Sequence, residues 1–161
     1  MEEKITLENL ERWHRYFAAE CNNRAWDLAS KSDRIPTEDQ EMLNLAHASA
    51  YHWSALGKPV NNARADITLA HIHALLGHGQ DAMKYALRAL AFFESSPAED
   101  WDLAFAHSEL AFAAAVLGDE YLHAKHYALA KEQGEAIKED ENRQVFLDEF
   151  AKIPREVQPR L

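Results

Sequence analysis

Residues 65–77 read ADITLAHIHALLG and residues 106–118 read AHSELAFAAAVLG. Displaced by 41 residues, the two segments share Ala65/Ala106, Leu69/Leu110, Ala70/Ala111, Ala74/Ala115, Leu76/Leu117 and Gly77/Gly118. The stretch after each glycine repeats as well: Ala82, Tyr85, Ala86 and Leu87 correspond to Ala124, Tyr127, Ala128 and Leu129, with one extra residue in the second copy. A duplication of this length points to a stacked helix-turn-helix unit that cannot bury its apolar face alone. The recurring alanines let two helices approach closely. The Leu-Gly ending supplies an apolar plug and then a residue free to take the left-handed cap.

The same grammar extends in both directions. Upstream, Leu7, Leu10, Trp13, Phe17, Cys21, Ala25 and Leu28 recur every three or four residues behind Thr6, the period of one buried helix face. Pro36 ends that helix, because a proline biases its predecessor away from helical angles. Thr37 with Gln40 reads as a capping box, and Met42, Leu45, Ser49, Trp53 and Leu56 form the next stripe, closed at Gly57. Asn61 or Asn62 caps a third helix, and Ser96-Pro97-Ala98-Glu99 is the strongest start signal of the chain. Asp119 caps a sixth helix, and Asp140 opens a short seventh stopped by Pro154. Helices are therefore expected over about 6–31, 38–56, 61–76, 80–94, 97–117, 120–137 and 141–152. They form a single helical domain over 1–154, with 155–161 as a tail. No segment alternates with period two, so the class is all-α.

The residue pattern of the repeat resembles that of the tetratricopeptide-repeat (TPR) family. In the second unit Leu117, Gly118, Tyr121 and Ala130 match its pattern, and Gly134 stands where a late aromatic is asked for. In the first, Leu76, Gly77, Ala89 and Phe93 match, and Gln80 replaces the early aromatic. His73 and Ala114 occupy the early tryptophan position, and the repeat of 41 residues exceeds the family's 34. The resemblance covers about residues 61–137, and residues 6–57 would add an N-terminal pair. It implies a right-handed α-α superhelix of antiparallel helix pairs, TPR-like, with about seven helices. Its concave surface, lined by the first helix of each pair, would hold a peptide or a chain terminus.

Composition narrows the function classes. Lys plus Arg number 17 against 27 Asp plus Glu, giving a net charge of −10, the opposite of what a phosphate backbone attracts; no nucleic-acid partner is expected. A lone Cys21 on the apolar stripe reads as an inert thiol in a reducing compartment. The start Met1-Glu2-Glu3-Lys4 is acidic where a signal peptide is basic, and no apolar run reaches bilayer length, so a cytoplasmic protein with no membrane partner is expected.

Candidate site residues emerge from helical spacing. Arg64, Ile67, His71 and His78 share a stripe, with Phe105, Ser108, Phe112 and Ala115 on the equivalent stripe of the next unit. His47, Tyr51 and Ser54 share a face of the second helix, so a polar pocket of His47, Tyr51, Arg64 and His71 is the sharpest expectation, with His78 and Phe112 on the same groove. Nine histidines invite a metal reading, since imidazole is the commonest metal ligand. Two Glu-x-x-His pairs occur, Glu11/His14 and Glu120/His123, and His126 faces the same way as His123. Chance produces such pairs about as often, so Glu120, His123 and His126 are weak candidates and no metal or other cofactor is expected. No Gly-x-Ser-x-Gly elbow, phosphate-cradling loop or Cys-x-x-Cys is present. Trp13, Trp26, Trp53 and Trp101 are expected to anchor helix packing, Trp26 and Trp101 in more exposed positions. The expected function is a non-catalytic module binding a protein, a peptide or a second copy of itself as a homodimer. A small-molecule- or metal-dependent enzyme using the His/Tyr/Arg pocket is the alternative.

Overall fold

The structure is a computed structural model and describes residues 6–157; the expectations for the first residues and for the end of the tail lie outside that range. Seven helices make up the fold among the described residues, with no strand. They are α1 (Leu7–Ala29), α2 (Pro36–Leu56), α3 (Pro59–Leu75), α4 (Gly79–Ser95), α5 (Asp100–Leu117), α6 (Glu120–Glu135) and α7 (Asp140–Phe150). None is long and apolar enough to cross a membrane.

Each start has a local cause. The Asn9 N–H donates to Thr6 Oγ1 at 3.2 Å, and the Leu122 N–H to Asp119 Oδ1 at 2.9 Å, so both expected caps form. Three starts differ from expectation. Helix α2 begins at Pro36, earlier than the Thr37/Gln40 box allows, because Glu38 reaches back to accept from the Ile35 N–H at 3.1 Å. Helix α3 likewise begins at Pro59 behind Lys58, so neither Asn61 nor Asn62 is its cap. Helix α5 begins at Asp100, and Ser96 ends α4 instead of opening the next helix. Asp102 accepts from the Glu99 N–H at 3.0 Å and pulls the start past Pro97. Gly57, Gly77 and Gly118 all come after a helix with positive φ, and at Gly118 the αL value of 76° satisfies the last carbonyls of α5.

Consecutive helices pack in pairs, α1 with α2, α3 with α4 and α5 with α6, and α7 closes against α5 and α6. The backbones of α1, α3 and α5 also approach one another, α3 in the middle. Helices α3 and α5 are enclosed on every side: residues 65–74 and 106–114 are buried without interruption. Burial all round is why their sequences show little amphipathic contrast, and it takes in polar side chains too: Asp66, Thr68, His71 and His73 on α3, and His107, Ser108 and Glu109 on α5. The repeat alanines Ala70, Ala74, Ala111, Ala89 and Ala130 are buried, and Phe93 is buried among Leu90, Ala86 and Leu110.

The stripe of α1 departs from expectation. Ala18 and Ala25 are buried, but Trp13 is 48% exposed, Phe17 42% and Tyr16 53%, and Leu7 and Leu10 are also exposed. The ring contacts of Trp13 among the described residues are to Tyr16 and Phe17 of its own helix. Cys21 is only half-buried; burial pushes its thiol pKa up, which keeps it protonated and weakly nucleophilic. Tyr121, the motif aromatic of the second unit, lies on the surface.

Candidate ligand-binding groove

A groove of ≈ 480 Å³ runs between α1, α3 and α5. Helix α1 presents Ala19, Asn22, Asn23 and Trp26; α3 presents Asn61, Arg64, Ile67 and Thr68; α5 presents Trp101, Asp102 and Phe105, with Trp53 of α2 at the edge. The spacings 19/22/26, 61/64/68 and 101/105 are those of single helix faces, so the groove is a direct product of three parallel stripes.

Its polar groups are fixed before any ligand arrives. Arg64 donates from Nε and Nη2 to the two Asp102 oxygens at 3.0 and 2.9 Å, a bidentate pair, and its guanidinium lies 4.4 Å from the Trp101 ring centroid. Asp102 is 1% exposed, while the Arg64 side chain keeps 36% exposure, lines the groove and has N–H donors beyond the two that Asp102 takes. On the other wall Trp26 Nε1 donates to Thr68 Oγ1 at 3.1 Å, and Thr68 donates on to Asn22 Oδ1 at 2.8 Å. That chain occupies the Asn22 oxygen and leaves its amide hydrogens available. The groove thus combines tryptophan walls with directed donors.

His71 lies beneath this surface instead of on it. Its Nδ1 is 3.1 Å from both Glu109 oxygens, its ring lies 4.4 Å from Trp26, and Phe112 meets it edge-on at 5.7 Å. Both His71 and Glu109 are buried, so this dyad supports the floor. Helical spacing did not single out Asp102 or Glu109. A signal existed: they stand seven residues apart on α5, as Arg64 and His71 do on α3, and the two helices pair these positions in register.

The structure does not bring the four residues of the expected pocket together. Arg64 and His71 stand over α5, the first on the groove and the second under it. His47 is exposed and packs edge-on against His73 at 5.5 Å, in a group that includes Tyr85 and His78. His78, also exposed, caps α4 and faces His73 Nδ1 to Nδ1 at 3.2 Å. Tyr51 is 65% exposed and lies against His14 and His52, whose Nδ1 atoms are 2.8 Å apart. The shared-face argument failed because α2 turns His47 toward α4 and Tyr51 toward α1, with neither reaching Arg64.

The weak metal candidates also point apart. His123 Nε2 donates to the Pro154 carbonyl at 2.7 Å, and His126 Nδ1 faces His107 Nδ1 at 2.8 Å, while Glu120 is exposed. No group of three or more metal-ligating side chains occurs among the described residues. Burial, with the neighbouring His107 second, pushes the His126 pKa down to about 4, and burial lowers those of His107, His73, His52 and His47 as well. In the neutral His107/His126 pair one ring donates and the other accepts.

No family model, curated protein or solved structure matches the chain.

Proposed function

We propose that the chain is a divergent helical repeat of tetratricopeptide type, and that the concave face formed by α1, α3 and α5 binds an extended peptide segment of a partner protein. The observation that carries this reading is the convergence of Trp26, Trp53 and Trp101 with the preset donors of Asn22 and Arg64 on one open groove. An amide such as Asn22 matches the carbonyl of a peptide main chain, and an arginine held by a carboxylate and an indole keeps its orientation with little entropy left to lose. Tryptophan and arginine are also the side chains that dominate protein interfaces. Among the described residues the groove pairs no nucleophile with a base, and His71 is sealed below it, so binding accounts for the arrangement better than acyl or phosphoryl transfer.

The test is selection of peptides from a displayed random library on the full chain, with calorimetric titration of the enriched sequences. Asn22→Ala and Trp101→Ala should each weaken the selected peptide by about tenfold or more, while circular dichroism stays unchanged. Enriched peptides that bind both variants as tightly as the parent would refute a site in this groove.

A further inference from the structure

We infer that the outer face of α1 is the interface of a twofold-symmetric homodimer, in which α1 packs antiparallel against α1 of a second copy. Trp13 and Phe17 stand nine residues before Asn22 and Trp26, two and a half turns, so they point directly away from the face that meets α3. There they form a continuous aromatic surface. Trp13 stacks on Phe17 at 5.9 Å, Tyr16 meets both edge-on at 6.1 and 5.3 Å, and Phe17 continues to His52 at 5.6 Å and so to Tyr51. The other end of the stack shows what the fold does with such residues, since α7 covers it and buries Phe146 and Phe150. No element among the described residues does the same for α1.

Area and charge select a second copy as the occupant. With three rings near half exposure and Leu7, Leu10 and Tyr51 beside them, the patch offers roughly 500 Å² of apolar surface. A stable interface buries about 800 Å² per partner, of which about 60% is apolar, so the patch supplies the apolar core of one such interface. Its charges are self-complementary. Arg12 lies about one turn before Tyr16 and Glu20 about one turn after it, and neither forms an ion pair among the described residues. A twofold axis at Tyr16 with antiparallel helices sets Arg12 of each copy against Glu20 of the other, two reciprocal pairs from one operation. Trp13 and Tyr16 of both copies close into one core between them.

Sedimentation velocity on the full chain through the micromolar range tests this. The expected result is a dimer that Trp13→Glu converts to a monomer of unchanged helical content. Arg12→Glu and Glu20→Arg should each weaken the dimer by about tenfold, and the double exchange should restore it. A monomer at every concentration, a larger assembly, a dimer indifferent to Trp13→Glu, or a double exchange no tighter than the single ones would each overturn the proposal. Asn22→Ala, in the groove, leaves the dimer intact in this scheme, so the two sites fail independently.

Discussion

Buried charge separates side chains that look equivalent in the sequence. Arg64 and Asp102 form one ion pair, but the arginine keeps contact with water and the carboxylate does not. Removing the arginine strands an ionised group inside, whereas neutralising the acid leaves an arginine able to rehydrate. Arg64→Met should therefore cost about 3–5 kcal/mol, and Asp102→Asn about 1–2 kcal/mol, in urea denaturation. Equal costs would mean that Asp102 is better hydrated than its position implies. The histidine pair between α5 and α6 makes a pH prediction. His126 titrates near 4 in the folded chain and near 6.5 when unfolded. Above pH 6.5 both states are neutral there; below it the unfolded state takes up the proton first. The depressed folded pKa thus means stability present at neutral pH and lost as the pH falls from 6.5 toward 4. Between pH 7 and 5 the loss from this group is about 2 kcal/mol, and His126→Gln, measured by denaturant melts at both values, should shrink the difference by about that amount. Single positions were the hardest level to read from the sequence. Helical spacing located Arg64, but the partner that fixes it lies 38 residues away on a helix whose alanine-rich composition hid Asp102 and Glu109.

Caps, stripes and glycines decide the elements, and these were largely legible. Thr6 and Asp119 cap as their side chains demand, and the Leu-Gly endings turn the chain at Gly77 and Gly118. Where two start signals competed, the one whose carboxylate could fold back on a backbone N–H won, as Glu38 and Asp102 show. The stripe of α1 misled because periodicity marks a face that seeks burial without saying what buries it. Gly134 is the opposite case, a break in the repeat pattern with a packing reason. A Cβ there would fall 1.9 Å from Phe146 Cε1, so α7 inserts its own phenyl ring where the repeat would otherwise carry an aromatic on α6. Helix propensity alone favours Gly134→Ala by about 1 kcal/mol. The clash with a fully buried ring should outweigh that, for a net loss of about 1–3 kcal/mol in thermal or denaturant unfolding. Adding Phe146→Leu to it should recover part of the loss, and an alanine that stabilises by itself would show that α7 packs more loosely than this.

Over the whole molecule, the stack behaves as a line of units with a hard centre. Helix α3 contacts α1, α2, α4 and α5, and α5 contacts α3, α4, α6 and α7, whereas among the described residues α1 meets only α2 and α3. In such arrays stability is approximately a sum of unit and neighbour terms, so the ends open at lower free energy than the middle. Amide hydrogen exchange read by mass spectrometry should therefore be slowest over residues 67–74 and 106–114, where opening requires separating three helices at once. It should be fastest in the first turns of α1, whose outer side chains face water in a single copy. Dimerisation through α1 raises that profile with protein concentration. Protection should rise over residues 9–20, and over the centre as well, because global unfolding also requires the dimer to part. A uniform profile would instead mean that the chain unfolds as one cooperative block and that the α1–α2 pair is tied to α3 as firmly as α3 is to α5. Helix α1 shares a buried cluster with α3 through Ala25, Leu69 and Ile72, but its Trp26, Thr68 and Asn22 hydrogen bonds border the open groove instead of a sealed core, which argues for the graded result.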